Sequence, residues 1–131
     1  MQSRRWCFTL NNPESALDTS TWAARGVIGA VWQRERGEQG TEHFQGYIKF
    51  EKPKRMPWVK STLHSDHVHL EPARGNNDQC IDYCIKISTH VEGPWWFPDE
   101  ATVRSSTQGQ RTDLSEMAAA AKEGKSLSNI S

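Results

Sequence analysis

No run of apolar residues in the chain approaches the roughly 20 that a membrane-crossing helix needs. The opening residues, Met1-Gln2-Ser3-Arg4-Arg5, also lack the apolar stretch of a secretory signal. Cysteine is scarce and odd in number. Cys7, Cys80 and Cys84 make no disulfide framework, which fits a reducing compartment. The Gly-x-x-x-x-Gly-Lys-Ser/Thr phosphate loop is missing, so no ATPase is expected of these residues. Net charge of either sign is absent, with 16 basic against 16 acidic side chains, so the total names no partner. No internal repeat is visible, and 131 residues suffice for one core rather than two.

What is there reads as a soluble globular domain, 35% apolar and 24% charged. Trp6, Phe8 and Leu10 alternate with Cys7 and Thr9, which predicts a strand over residues 5–10. Asn11-Asn12-Pro13 breaks it, and a helix is expected over 13–25, stopped by Gly26. A strand follows over 27–35, then a glycine-containing hairpin loop over 36–42. Residues 43–50 are the clearest strand. Phe44, Gly46 and Ile48 share one face; His43, Gln45 and Tyr47 share the other, with Lys49 beyond them. Then come a basic turn over 52–57, a short helix over 58–63, and a strand over 67–71 with His67, His69 and Glu71 on one side. A turn at 72–75, an Asn-capped helix over 76–87 and a last strand over 92–97 complete the series. The order predicts an α+β fold, an antiparallel sheet flanked by helices with the 27–50 hairpin central. Residues 1–100 form the expected domain and 101–112 a Ser/Thr/Gln/Gly linker. From 113 a capping box, Asp113-Leu114-Ser115-Glu116, opens a helix through Ala121. That segment is expected to contribute to oligomerisation and to continue in a longer natural protein.

Two constellations carry chemistry. His43 and Gln45 project from one face of a strand, and Glu35 ends the strand before it, so the three can meet across an antiparallel hairpin. An imidazole, an amide oxygen and a carboxylate suit Mg²⁺ or Mn²⁺ and leave positions for water and a phosphate oxygen. Glu71 competes with Glu35 for the acidic place. Tyr83 and Lys86 stand at i and i+3, which sets them on one face of a helix. Tyrosine can act as a covalent nucleophile, and a neighbouring cation stabilises the charge it develops. A basic run, Lys49, Lys52, Lys54, Arg55 and Lys60, is set against Glu51 alone and is positioned to contact phosphates, with Arg4, Arg5 and Arg74 as lesser candidates and Trp58 as a stacking ring. Two rival readings are weaker. An RNA-recognition-like module would hold aromatic rings where His43 and Gln45 stand. A zinc set of Cys80, Cys84, His67 and His69 meets no standard spacing.

Taken in order, Phe8-Thr9-Leu10-Asn11-Asn12-Pro13, His43-Phe44-Gln45-Gly46-Tyr47 and Tyr83-Cys84-Ile85-Lys86 resemble the motifs of the nuclease domain of replication initiators from small circular single-stranded DNA viruses and their satellites. The resemblance lies nearer the nanovirus and alphasatellite proteins than the circovirus ones and spans about residues 5–96. It is supported by the stretch Trp32 to Gly40, by His69-Leu70-Glu71 and by Glu92-Gly93-Pro94-Trp95. It implies a central five-stranded antiparallel sheet and a metal-dependent endonuclease that nicks and rejoins single-stranded DNA at a viral origin stem-loop in rolling-circle replication. By the same resemblance Tyr83 is the nucleophile and Lys86 its lysine. Glu35, His43 and Gln45 hold Mg²⁺ or Mn²⁺. Thr9, Asn11 and Asn12 belong to a motif tied to DNA handling. It also implies action in the host cell nucleus, with host replication machinery as a partner and no membrane.

Overall fold

The computed structural model describes residues 1–105. Its elements run β1 (Gln2–Asn11), β2 (Val27–Arg36), β3 (Glu42–Arg55), α1 (Met56–Thr62), β4 (His69–Pro72), α2 (Asn77–Cys84), β5 (His90–Phe97) and α3 (Glu100–Arg104). The strands make one antiparallel sheet of five in the order β4-β1-β3-β2-β5. The fold is therefore the expected α+β sheet with helices against it, and β3 of the predicted hairpin is its central strand.

Strand alternation gives the sheet two differently covered faces. On one, Trp6 and Phe8 of β1, Ala30 and Trp32 of β2 and Phe44, Ile48 and Phe50 of β3 pack with Trp22, Val59, Leu63, Val68 and Leu70. On the other, Val31 and Tyr47 meet Cys80, Ile81 and Cys84 of α2 and Val103 of α3. Each such side chain removed from water contributes about 1.5–3 kcal/mol, so the larger first cluster is the main source of stability. Gly46 sits opposite Phe8 in the β1–β3 register. A Cβ there would lie 2.1 Å from the Phe8 ring, so the central strand needs glycine at this point.

The structure departs from the sequence expectations in five places. Residues 13–25 are not a helix: they form a loop ending in turns, where Trp22 N–H reaches Thr19 C=O at 3.1 Å and Asp18 Oδ1 takes the Ser20 N–H at 2.9 Å. Ser, Thr and Asp side chains offer the backbone such local alternatives to a helix. Trp22 is itself fully buried and donates its indole N–H to the Thr62 carbonyl, which fixes the loop against α1. Residues 52–55 are not a turn either. They continue β3, pairing Lys54 with Ser3 and Arg55 with Gln2, and α1 begins directly with Pro57 in its first turn. The helix expected over 76–87 stops at Cys84. Its start is as read, with Asn76 and Gln79 in a reciprocal capping box. Its end is shortened: Ile85 is the C-cap, its N–H on the Asp82 carbonyl, and beyond it the Lys86 carbonyl accepts from the Gln33 side chain at 2.8 Å. Finally, α3 occupies the start of the expected linker, where Asp99 caps the helix and Val103 is fully buried. The rest of that linker and the helix expected from Asp113 lie outside the described residues. At the sheet edge β4 begins at His69, and His67 precedes it, its N–H held by Ser65 Oγ.

Candidate active site

β2 and β3 pair so that Glu35 stands opposite His43 and Gln33 opposite Gln45. On the other side of β3, Thr9 stands opposite Gln45 and Asn11 opposite His43. Directly paired residues share a sheet face. These six side chains therefore occupy the face carrying α2, just past the helix's end. Glu35 Oε1 lies 3.3 Å from His43 Nε2. Gln45 accepts from Thr9 Oγ1 at 3.1 Å and donates to the Phe8 carbonyl at 3.2 Å, which orients its amide oxygen toward β1. The carboxylate of Glu35 is almost fully buried. Burial pushes its pKa up, but hydrogen bonds from Gln33 and Lys86 and the Lys86 charge outweigh that and hold it below the usual carboxylate range. It is thus an anion at neutral pH, in contact with the His43 imidazole and the Gln33 amide.

α2 brings the tyrosine. Tyr83 is in the last turn of α2 and 55% exposed, the free end of a helix otherwise seated by Cys80, Ile81 and Cys84. Lys86 lies one residue past the helix cap, not within the helix, yet it still meets Tyr83. Its ammonium sits 3.9 Å from the centre of the Tyr83 ring, 3.1 Å from the Tyr83 carbonyl, and 3.0 and 2.9 Å from the two Glu35 oxygens. One cation therefore joins the phenol's ring to the carboxylate that touches His43. Tyr83 and Gln45 also line a common cleft of about 360 Å³ with Thr9, His69, Glu71 and Arg74. Chemically, an exposed phenol, a buried anion, an imidazole and an amide oxygen converge beside an open groove. Oxygen and nitrogen donors of this kind fit a hard or borderline divalent cation.

Of the two acidic candidates, Glu35 is the one beside His43. Glu71 is on edge strand β4, opposite Cys7, and pairs with His69 at 3.0 Å in the exposed rim of the cleft. The basic candidates divide. Lys49 is not a phosphate contact: it is 2% exposed, with its ammonium on Asn77 Oδ1, the Val103 carbonyl and the Ser105 carbonyl. Burial, helped by Arg5, lowers its pKa to about 8. Arg5 is half-buried and tied to Tyr47 and the Gly75 carbonyl. Lys52, Arg55 and Arg74 are exposed, and Lys54 and Lys60 half-buried. Trp58 carries Lys54 at 4.2 Å and Arg25 at 4.1 Å over its ring. Asn11 and Asn12 are exposed at the end of β1, Asn12 with a positive φ of 52° and its N–H on the Glu42 carbonyl. Cys80 and Cys84 pack in the apolar cluster beneath α2. Gln33 was missed by the sequence reading, although its spacing of two from Glu35 already put both on one strand face.

Over residues 3–87 the sequence matches the family described as "Putative viral replication protein". The replication-associated protein of pigeon circovirus is 35% identical over 130 residues, covering 98% of this chain and 38% of the viral protein. The master replication protein of milk vetch dwarf virus is 40% identical over 92 residues, covering 70% of this chain and 30% of the relative. The Para-Rep C1 of milk vetch dwarf C1 alphasatellite is 36% identical over 97 residues, covering 74% and 32%. The chain spans less than half the length of each of these relatives. On this match and these identities, the chain belongs to the viral replication protein family.

Proposed function

We propose that this domain is the DNA-nicking part of a viral rolling-circle replication initiator, a divalent-metal-dependent endonuclease and strand transferase with Tyr83 as nucleophile. The observation that carries the reading is the Lys86 ammonium, which spans the Tyr83 ring and the Glu35 carboxylate and so joins a nucleophile to a set of metal-type donors. Family membership and the printed names of the relatives, replication-associated and master replication proteins, support the role in replicating viral DNA.

Single-stranded DNA at an origin stem-loop enters the cleft beside Gln45 and Tyr83. The Tyr83 oxygen attacks the scissile phosphorus in line. A phenol O–P bond forms, the bond to the 3′ oxygen breaks, the phenol proton leaves and the 3′ oxygen takes one up. The 5′ phosphate stays on Tyr83, and a later 3′ hydroxyl reverses the step to reseal a strand. Lys86 stabilises the developing phenolate, while Glu35, His43 and Gln45 would hold a divalent metal. Mg²⁺ or Mn²⁺ there would supply Lewis-acid stabilisation of phosphate charge, worth several kcal/mol. Positioning of the strand in the groove supplies much of the remainder. The exposed side chains of Lys52, Arg55 and Arg74, with Asn11 and Asn12, contact the DNA backbone. In the cell the protein acts in the host nucleus alongside host replication factors, and it oligomerises through residues after the nuclease fold.

The test is direct. The protein is incubated with a single-stranded origin loop and Mn²⁺ or Mg²⁺, and a covalent adduct is sought on a denaturing gel and mapped by mass spectrometry. An adduct on Tyr83, lost with EDTA, is expected. Tyr83→Phe should form no adduct and still bind the strand. Cleavage by Tyr83→Phe, or an adduct elsewhere, would overturn the assignment.

A further inference from the structure

Gln33 is fully buried in β2, yet its amide is used in a lopsided way. The NH₂ group makes two short bonds, 2.9 Å to Glu35 Oε2 and 2.8 Å to the Lys86 carbonyl. Its oxygen, Oε1, has no hydrogen-bond partner among the described residues. Turning the amide over gives no relief, because the oxygen would then face a carboxylate and a carbonyl. A buried acceptor without a partner costs stability, and an apolar side chain of similar volume would avoid that cost. The unpaired oxygen offsets part of what the two bonds contribute to stability, so stability alone is a weak reason for glutamine here. What the two bonds hold in place is a stronger one. The first holds Oε2, together with the Lys86 ammonium that meets both oxygens, and leaves Oε1 turned to His43. The second pins the backbone of Lys86, directly after the helix that carries Tyr83.

We infer that Gln33 is a positioning residue: one buried amide helps to set the rotation of the Glu35 carboxylate and ties the strand bearing it to the segment bearing Tyr83 and Lys86. It touches no substrate. It acts through Glu35, as outer groups behind metal ligands do, where their loss weakens metal binding about 10- to 100-fold. The inference rests on the metal reading proposed above.

The test is Mn²⁺ binding without DNA, followed by electron paramagnetic resonance, in the wild type and in Gln33→Met, together with thermal unfolding of both without metal. Gln33→Met is expected to bind Mn²⁺ about 10- to 100-fold more weakly while melting at the same or a higher temperature. Wild-type affinity in Gln33→Met overturns the inference and leaves the metal reading standing. No Mn²⁺ binding by the wild type overturns both. Weaker binding accompanied by a lower melting temperature assigns Gln33 a merely structural role and overturns the inference too. Nuclear magnetic resonance of the unmutated protein gives a second reading. The Gln33 side-chain amide protons should exchange slowly with water and shift as Mg²⁺ saturates the site; fast exchange with no shift counts against the proposal.

Discussion

Two cations compete for the Glu35 oxygens. The Lys86 ammonium lies within 3.0 Å of both, so a metal ion that binds Glu35 must displace it or share it at a loss. Lys86→Met is therefore expected to bind Mn²⁺ more tightly than the wild type, by roughly 5-fold or more at the lower end of such couplings. It should also form the tyrosyl adduct more slowly, since no ammonium then faces the Tyr83 ring. Opposite movement of affinity and rate in one variant is what a Mn²⁺ titration set beside a single-turnover assay would read. Weaker Mn²⁺ binding would contradict the competition. A second residue-scale expectation concerns packing alone. Gly46→Ala sets a Cβ 2.1 Å from the buried Phe8 ring and should destabilise by about 1–3 kcal/mol, measured by urea unfolding. Much of this site was legible in the chain. Glu35, His43, Gln45, Tyr83 and Lys86 were candidates by spacing and residue chemistry, and the resemblance of the ordered motifs singled them out. What spacing could not supply was which contacts close. Lys86 was expected on a helix face and is held instead by a tertiary bond beyond the helix.

Lys49 shows how one face of one strand changes character along its length. By alternation it belongs with His43, Gln45 and Tyr47, and it does point the same way. At His43 that face is open; at Lys49 it lies beneath the start of α2 and the end of α3, and the ammonium ties the two through Asn77 and the Val103 carbonyl. Sequence pattern gives the face, but not where a covering helix begins or ends. Strands were therefore readable, while the loop of residues 13–25 and the stop of α2 were not: local Ser, Thr and Asp bonds decide one, and no glycine or proline marks the other in the sequence. The buried lysine also predicts a pH dependence. Its folded pKa is about 8 against an ordinary 10.5. Below pH 8 both folded and unfolded chains hold the proton and stability does not vary on its account. Between these values only the unfolded chain holds it, so unfolding takes up a proton and stability rises with pH. Burial pushes Cys7 and Tyr47 up to about 12, which works in the opposite sense at high pH. The readable quantity is thus the difference from Lys49→Met. Thermal unfolding from pH 7.5 to 10.5 should show the wild type gaining on the variant; a constant difference would refute the buried charge.

On the scale of the whole molecule, the cleft and the basic surface sit far apart on the same central strand. His43 is at one end of β3 and Lys54 and Arg55 are at the other, roughly 35 Å away at about 3.3 Å per residue. The Trp58 ring, flanked by Lys54 and Arg25, extends the basic end onto α1, which packs against the face opposite the cleft. A few unpaired nucleotides in the cleft do not cover that span, whereas a duplex, at 3.4 Å per base pair, does so in about ten pairs. If the proposed stem-loop is the substrate, the loop belongs to the cleft and the stem to the basic end. Lys52→Glu with Arg55→Glu should then weaken binding of a hairpin and lower the slope of log affinity against log salt by about 1 for each lost phosphate contact. Binding of the loop sequence as a bare strand, and the adduct it forms on Tyr83, should be little changed. Fluorescence anisotropy with both oligonucleotides between 50 and 200 mM salt makes the comparison. Equal weakening for hairpin and bare strand would put the basic end on the path of the single strand and remove the division of labour between the two ends of β3.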